Sequence, residues 1–308
     1  MKLFNPEWNN FTHQTAAKWV AEYLSDAKPD QLVPAGNGDF CLAFRRGGQI
    51  IRVARHAEAA AAIERETCVL RKIAAELPLP VPQLSIYTPE TCPLFTMHNE
   101  IVGDVLTREI WERLPAVSQE KAAADLANFL KALHSIPVEI ADDCELPQLD
   151  AVTVAANLSA AAAKISHLLN PQSRSLFAET LEKWANPPNP EKRQSLLHCD
   201  IAPGHLFFDP KSGHLTGVID FGDIAIGNPA RDFIYIYEDF GESILELVLN
   251  YYAGKNAPEW ISEIRKWYLL EAISWAIDMI ESGNRAELAH GIAEIERELT
   301  ILKTSLDD

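Results

Sequence analysis

The stretch "LLHCDIAPGHLFFDPKSGHLTGVIDFGD", residues 196–223, decides how this chain folds. "HLFFD" and "HLTGVID" are short β-prone segments, and "DPKSG" between them is turn chemistry of the Asp/Pro/Gly kind, so the pattern predicts an antiparallel hairpin. The far ends of such a hairpin lie together. The fifteen residues after His205, ending at Asp220, are therefore an out-and-back path that sets Asp200 and His205 beside Asp220. Three such groups repel one another or take up protons unless a cation joins them. They are a candidate site for a divalent cation next to a carboxylate that can orient a hydroxyl.

Upstream, "AGNGDFCLAF", "RRGG" and "QIIRVAR" read as a second hairpin, preceded by a turn that contains Gly36 and Gly38. A helix follows from Ala57 to Leu77, with Ile63, Leu70, Ile73 and Leu77 at helical spacing and Pro78 as its stop. Glu66 falls on the apolar face of that helix, where a lone carboxylate is costly. The nearest cation in the preceding strand is Arg52, which alternation points away from its neighbours Ile51 and Val53. By itself the pair could be no more than a strand-to-helix salt bridge.

After Gly103 the text is mainly helical. Ser118 can cap a helix carrying Ala122, Leu126, Phe129, Leu130 and Leu133, and further helices are expected near 151–168, 172–185, 242–253, 258–282 and 285–303. "PPNP" at 187–190 breaks this series just before the hairpin. The expected fold class is α+β: a small β-rich N-terminal lobe with its connector, residues 1–102, and a larger helical lobe, residues 103–308.

With 308 residues, 47% of them hydrophobic and 23% charged, the composition is that of a globular protein. A formal net charge of −17 and the lack of any dense Lys/Arg run argue against a nucleic-acid partner and would welcome a cationic ligand. No basic start with an apolar stretch opens the chain and no run of about eighteen apolar residues occurs, so a cytoplasmic protein without a membrane partner is expected. The five scattered cysteines contain no CxxC pair and are expected to be reduced, packed side chains without zinc. Oligomeric state is not legible in the residues.

The motifs "HCDIAPGHLFFD" and "GVIDFGDIAIGNPARDF" resemble those of the aminoglycoside phosphotransferase family, whose members share the protein-kinase fold. Within it the likeness is greatest to the 2''-phosphotransferases, in "LPLP", "LTGVIDFGD" and "YEDFGE", with macrolide phosphotransferases next. The resemblance implies a bilobal kinase in which Asp200 is the catalytic aspartate and Asp220 holds Mg²⁺ against the phosphates of ATP or GTP. It places Arg52 where many kinases have lysine, paired with Glu66, and Gly36 and Gly38 over the phosphates. The base is expected against the connector near Phe95 to Glu100. His205 stands where most members carry a metal-binding Asn, Asn228 where Asp is commoner, and Asp232 matches a structural aspartate. His198 is expected to brace the loop. Glu238, Asp239 and Glu242, with Glu271, Trp267, Trp275 and Asp278 on a later helix, are expected to hold a polycationic, sugar-based substrate, because carboxylates beside rings suit ammonium groups on sugar faces. The implied activity is phosphorylation of an aminoglycoside hydroxyl, at 2'', which confers resistance; a macrolide or another metabolite is the alternative acceptor, and a nucleotide-binding pseudokinase the alternative class.

Overall fold

A computed structural model of the chain describes residue 8, residues 11–188 and residues 194–307; residues 1–7 and the last two residues of "PPNP" lie outside the described residues. The chain divides into two compact units, residues 1–146 with 198–224, and residues 147–197 with 225–308. The helical text after Gly103 is thus shared between them, and the hairpin of residues 206–218 belongs with the N-terminal sheet.

The first unit starts with α1 (His13–Tyr23), whose first turn is capped by the Thr12 hydroxyl. A five-stranded sheet follows, β1 (Val33–Asn37), β2 (Cys41–Arg46), β3 (Gln49–Ala54), β4 (Ser85–Tyr87) and β5 (Phe95–Asn99), in the order β1-β2-β3-β5-β4. The predicted hairpin is β2–β3, with Cys41 opposite Ala54 and Arg46 opposite Gln49. Alternation sorts the sheet into two faces. Leu42, Phe44, Ile51, Val53 and Phe95 pack with Ala16, Ala17 and Val20 of α1. Cys41, Ala43, Arg52, Thr96 and His98 take the other face, since Ala43 and Thr96 flank Arg52 in register and His98 opposes Ile50.

Helix α2 (Ala57–Ile73) begins where the His56 ring accepts from the Ala59 N–H, a cap that ordinary capping rules overlook. It ends four residues short of Leu77, because the chain tightens at Glu76, whose N–H bonds to the Ile73 carbonyl. The unit adds β6 (Asp104–Val105), α3 (Arg108–Arg113) and α4 (Ala116–Ser135). Ser118 is not the cap of α4: the helix begins at Ala116 after Pro115, whose fixed φ suits a helix entry, and Ser118 lies inside the first turn.

One expectation about cysteine is corrected. Cys68 on α2 and Cys144 form a disulfide, with Cα atoms 5.6 Å apart although 76 residues separate them in sequence. The short 3₁₀ turn Val138–Ala141 returns the chain to α2, and Lys72 of α2 reaches the Ile140 carbonyl at 3.0 Å. Cys41, Cys92 and Cys199 are not disulfide-bonded.

The second unit holds β7 (Gln148–Leu149), β8 (Ser195–Leu197) and β11 (Ala225–Gly227), in the order β7-β11-β8, with helices α5 (Ala151–Ala161), α6 (Ala163–Ser166), α7 (Pro171–Ala185), α8 (Glu242–Tyr252), α9 (Ala257–Ser282) and α10 (Arg285–Asp307). Between these strands the chain makes the hairpin of the first unit, β9 (Leu206–Phe208) and β10 (Leu215–Val218), with Leu206 opposite Val218. Asp209 closes its turn by accepting from the N–H groups of Lys211 and Ser212.

Candidate active site

Arg52 and Glu66 meet where sequence periodicity put them. The guanidinium bonds the Glu66 carboxylate, and the two side chains are nearly removed from solvent, at 14% and 1% exposure. A second nitrogen, Nη1, lies 3.5 Å from Asp220. Burial pushes the Glu66 carboxyl up and Arg52 pulls it back; burial is the largest single influence against the guanidinium charge as well, but Glu66, Cys41 and Asp220 together outweigh it, so Arg52 stays charged. Arg52 Nε is buried without a partner, which leaves the fork a donor to spare for an anion. These side chains line a cavity of about 380 Å³ together with Gly36, Gly38, Asp200 and Asp220. Gly36 is not in the expected turn but in β1, opposite Ala43 and beside a bulge; only Gly38 lies in the turn, where its N–H bonds the Cys41 carbonyl and Arg55 ties down Asn37 and the Gly38 carbonyl at the cavity's rim.

The hairpin geometry brings the three predicted groups together. His205 Nδ1 donates to the Asp200 backbone carbonyl at 2.9 Å and lies 3.3 Å from its carboxylate. With the proton on Nδ1, Nε2 presents a lone pair, and it lies 3.5 Å from Asp220 Oδ2. A cation between that nitrogen and the carboxylate would be held by both. All three ligand atoms lie within 4.8 Å of one another, so the donor set fits a small divalent ion. His198 has a different task. Its Nε2 donates to the Ile219 carbonyl at 3.1 Å and its Nδ1 accepts from the Asp200 N–H at 3.1 Å, tying the residue before Asp220 to Asp200. Cys199 and Asp220 adopt left-handed backbone, φ +67° and +68°, a conformation unfavourable for side chains with a Cβ. This strain adjoins both carboxylates and is held by the buried Phe221, whose ring lies 4.3 Å from that of His198.

The second unit carries its own acidic cavity, about 390 Å³, walled by Tyr235, Glu238, Glu271, Trp275, His290 and Glu294 among others. A π-turn, Ile236–Phe240, supplies Glu238. Partial burial, and then the neighbouring Asp239, Glu294 and Glu271, push its carboxyl up to about 7. Burial also raises Asp239. Some of the acids have internal cations: Arg231 bonds Glu271 at 3.0 Å and Arg297 approaches Glu294 at 2.7 Å.

The profile of the phosphotransferase enzyme family matches residues 42–268. This chain belongs to that family. Among curated phosphotransferases it is 29% identical over 167 residues to the aminoglycoside 3'-phosphotransferase of Streptomyces fradiae, covering 51% of this chain and 60% of that one. The matched stretches span 29%, 37% and 60% of the length of three curated relatives. Among solved structures the fold is similar to the GDP and kanamycin complex of APH(2'')-IIIa, with a TM-score of 0.84, 22% identity and coverage of 92% of this chain and 98% of that one. It is also similar to a macrolide 2'-phosphotransferase from Brachybacterium faecium, with a TM-score of 0.68, 18% identity and coverage of 92% and 97%. The kinase-like fold expected from the motifs is therefore the fold of this phosphotransferase-family chain.

Sequence-predicted substrate residues of this family member divide by position. Glu238 and Glu271 line the acidic cavity. Glu242 instead pairs with Arg265 at 2.7 Å, and Trp267 is buried in the core, while Trp275, two helical turns on, faces the cavity. Asp232 is buried in the 3₁₀ turn Pro229–Phe233, where Asn228 caps the first turn through the Ala230 N–H. Glu287, His290, Gly291 and Glu294 of α10 were missed. Their spacing of three, four and seven is a helix face, a signal legible in "ELAHGIAE" once α10 is recognised as walling a cavity. No helix among the described residues is long and apolar enough to cross a membrane.

Proposed function

We propose that this protein is a nucleoside-triphosphate-dependent kinase that transfers the γ-phosphoryl group to a hydroxyl of an aminoglycoside, at the 2'' position. The observation that carries the acceptor class is the acidic, aromatic-walled cavity of Glu238, Glu271, Glu294, Tyr235 and Trp275. Ammonium groups satisfy such carboxylates, whereas a largely apolar macrolide would leave them desolvated and unpaired.

In this reading Asp200 orients the acceptor hydroxyl and accepts its proton late in the transfer. Its position is held by the bonds from its backbone to His198 and His205. Arg52, kept charged by Glu66, grips the phosphates bidentately. Asp220 and Nε2 of His205 are the groups that would hold Mg²⁺, which when bound neutralises charge on the β- and γ-phosphates. Retention of both Asp200 and Asp220 speaks against a pseudokinase, and the nucleotide requirement favours a cytoplasmic location.

The test is nucleoside-diphosphate release with ATP and with GTP across 4,6-linked aminoglycosides of the kanamycin and gentamicin types, macrolides and common metabolites, followed by identification of the phosphorylated hydroxyl. Turnover of an aminoglycoside at 2'' is expected. Turnover of a macrolide and of no aminoglycoside would replace this reading.

A further inference from the structure

The Cys68–Cys144 disulfide sits on the helix that carries Glu66, and the phosphate chemistry leaves it unused. The two halves of α2 are held by different means. Ala59, Ala60 and Ile63 of its first half pack with Ala54 and Leu94 of the sheet region. Its second half is tied to the segment after α4 by the disulfide and by Lys72, which bonds the Ile140 carbonyl and the Asp143 carboxylate. Glu66 lies between these anchorages, two residues before Cys68. Its bond to Arg52 joins one carboxylate oxygen, Oε2, to one nitrogen, Nη2, while Nη1 has Asp220 at 3.5 Å. If the second half of α2 draws away, Arg52 is left with Asp220. A fork turned to that carboxylate gives up its grip on a phosphate and competes with a cation there.

The sulfur pair is open to exchange. Cys68 is half-buried and Cys144 buried, so an attacking thiolate meets Cys68 Sγ first. Attack there forms a mixed disulfide on Cys68, breaks the bond to Cys144 and expels Cys144 as a thiolate, which takes a proton from water. Cys144 Sγ lies 3.8 Å from Asp143 Oδ1, the oxygen that Lys72 holds, so the departing thiolate leaves beside an ammonium group and the new S–H has an acceptor. The second thiol of a dithiol then releases Cys68. The pair gains two electrons and two protons, and the reductant departs as its cyclic disulfide. In a nucleotide-dependent enzyme of the cytoplasm, a disulfide is more often a transient, redox-responsive bond than a permanent staple.

We propose that Cys68–Cys144 is a reversible redox site for small dithiols whose state sets how firmly Glu66 holds Arg52: the oxidised chain grips a phosphate chain, and the reduced chain grips it less. The effect is reciprocal, since an anion that binds the oxidised chain more tightly protects the disulfide by the same factor. This inference rests on the nucleotide reading above, which gives Arg52 its anion.

The test is the full chain with Mg²⁺ in buffers of set ratios of reduced to oxidised dithiothreitol. The state of the pair is read by acid quench, alkylation and peptide mass spectrometry, and binding of inorganic tripolyphosphate by calorimetry. Cys68 and Cys144 are expected to be reduced together in the folded chain, with the tripolyphosphate Kd rising at least about fivefold and recovering on reoxidation. Saturating tripolyphosphate should raise the dithiothreitol ratio at half-reduction by that same factor, a shift that a disulfide serving stability alone would not give. Cys144→Ala should bind as the reduced chain does in every buffer, which sets aside Cys41, Cys92 and Cys199. If that variant does not fold, the wild-type shift in half-reduction decides by itself. A pair that stays oxidised until the chain unfolds overturns the proposal. So does a Kd that reduction leaves unmoved, or a response to dithiothreitol that persists in the folded variant. Failure of the oxidised chain to bind tripolyphosphate overturns this proposal and the kinase reading together.

Discussion

Around Arg52, the carboxylates of Glu66 and Asp220 meet a cation supplied by the chain itself; in the cavity of the second unit, Glu238 faces Asp239, Glu271 and Glu294 and its carboxyl rises to about 7. In the first corner one guanidinium already answers two carboxylates before any ligand arrives. Its remaining capacity is for an anion at the spare Arg52 donor and for a cation between Asp220 and His205. The second retains an excess of negative groups, despite Arg231 and Arg297, and thus favours a ligand that brings positive charge. A site built to hold fixed charges in place supports chemistry, whereas one that waits for its counter-ions supports recognition.

The contrast fails if charge in the first corner can be removed without loss of chemistry. Asp200→Asn is expected to lower kcat by about 10² to 10⁴ with nucleotide affinity nearly intact, because the group orients and deprotonates the hydroxyl and holds no phosphate. Steady-state kinetics beside direct nucleotide binding would check this, and near-wild-type turnover would remove Asp200 from the mechanism. Glu66→Ala leaves a guanidinium at 14% exposure with only the half-open Asp220 for company. Loss of about 3 kcal/mol of stability is expected on denaturant unfolding, the penalty of an uncompensated buried charge. A loss below about 0.5 kcal/mol would mark the pair as no better than a surface salt bridge.

For the acidic cavity the expected effect is on binding. Glu238→Gln should raise KM for a kanamycin-type substrate about tenfold with kcat within about threefold, since a uniform ground-state contact is removed. The pH dependence sharpens the point. A carboxyl at about 7 in the folded chain, raised from its ordinary value, binds its proton more tightly folded than unfolded. Its contribution to stability is present at low pH and is lost as pH rises through 7. Free protein should therefore lose melting temperature between pH 6 and pH 8, less so in Glu238→Gln. The shift produced by an aminoglycoside should run the other way, larger at pH 8, provided its amines stay protonated. A ligand shift independent of pH in the wild type would detach Glu238 from substrate.

His205 lies between two carboxylates, 3.3 Å from that of Asp200 and 3.5 Å from that of Asp220. His205→Ala should lose activity, while His205→Asn, which restores an oxygen ligand, should stay within about tenfold of wild type, or roughly 1.4 kcal/mol in the barrier. Because Nε2 faces Asp220 Oδ2 at 3.5 Å, direct ligation predicts that Mn²⁺ in place of Mg²⁺ helps the wild type more than the Asn variant. Equal effects of Mn²⁺ on both would assign His205 to bracing Asp200 alone.

What the sequence by itself determined lies along single elements and across tight turns. The hairpin that unites Asp200, His205 and Asp220 follows from two short strands and a "DPKSG" turn, and the Arg52–Glu66 pair follows from strand alternation and helix period, because both relations are set by local geometry. Only the tertiary structure decided the rest. Cys68 and Cys144 are joined across 76 residues, and no spacing rule reaches that far. Trp267 and Trp275 sit on one helix in similar text, but one is core and the other faces the cavity, since the choice depends on what packs against α9. The same holds for the α10 residues: a side chain's element can be read from its neighbours in sequence, but what it faces is fixed by the chain that comes to lie against it.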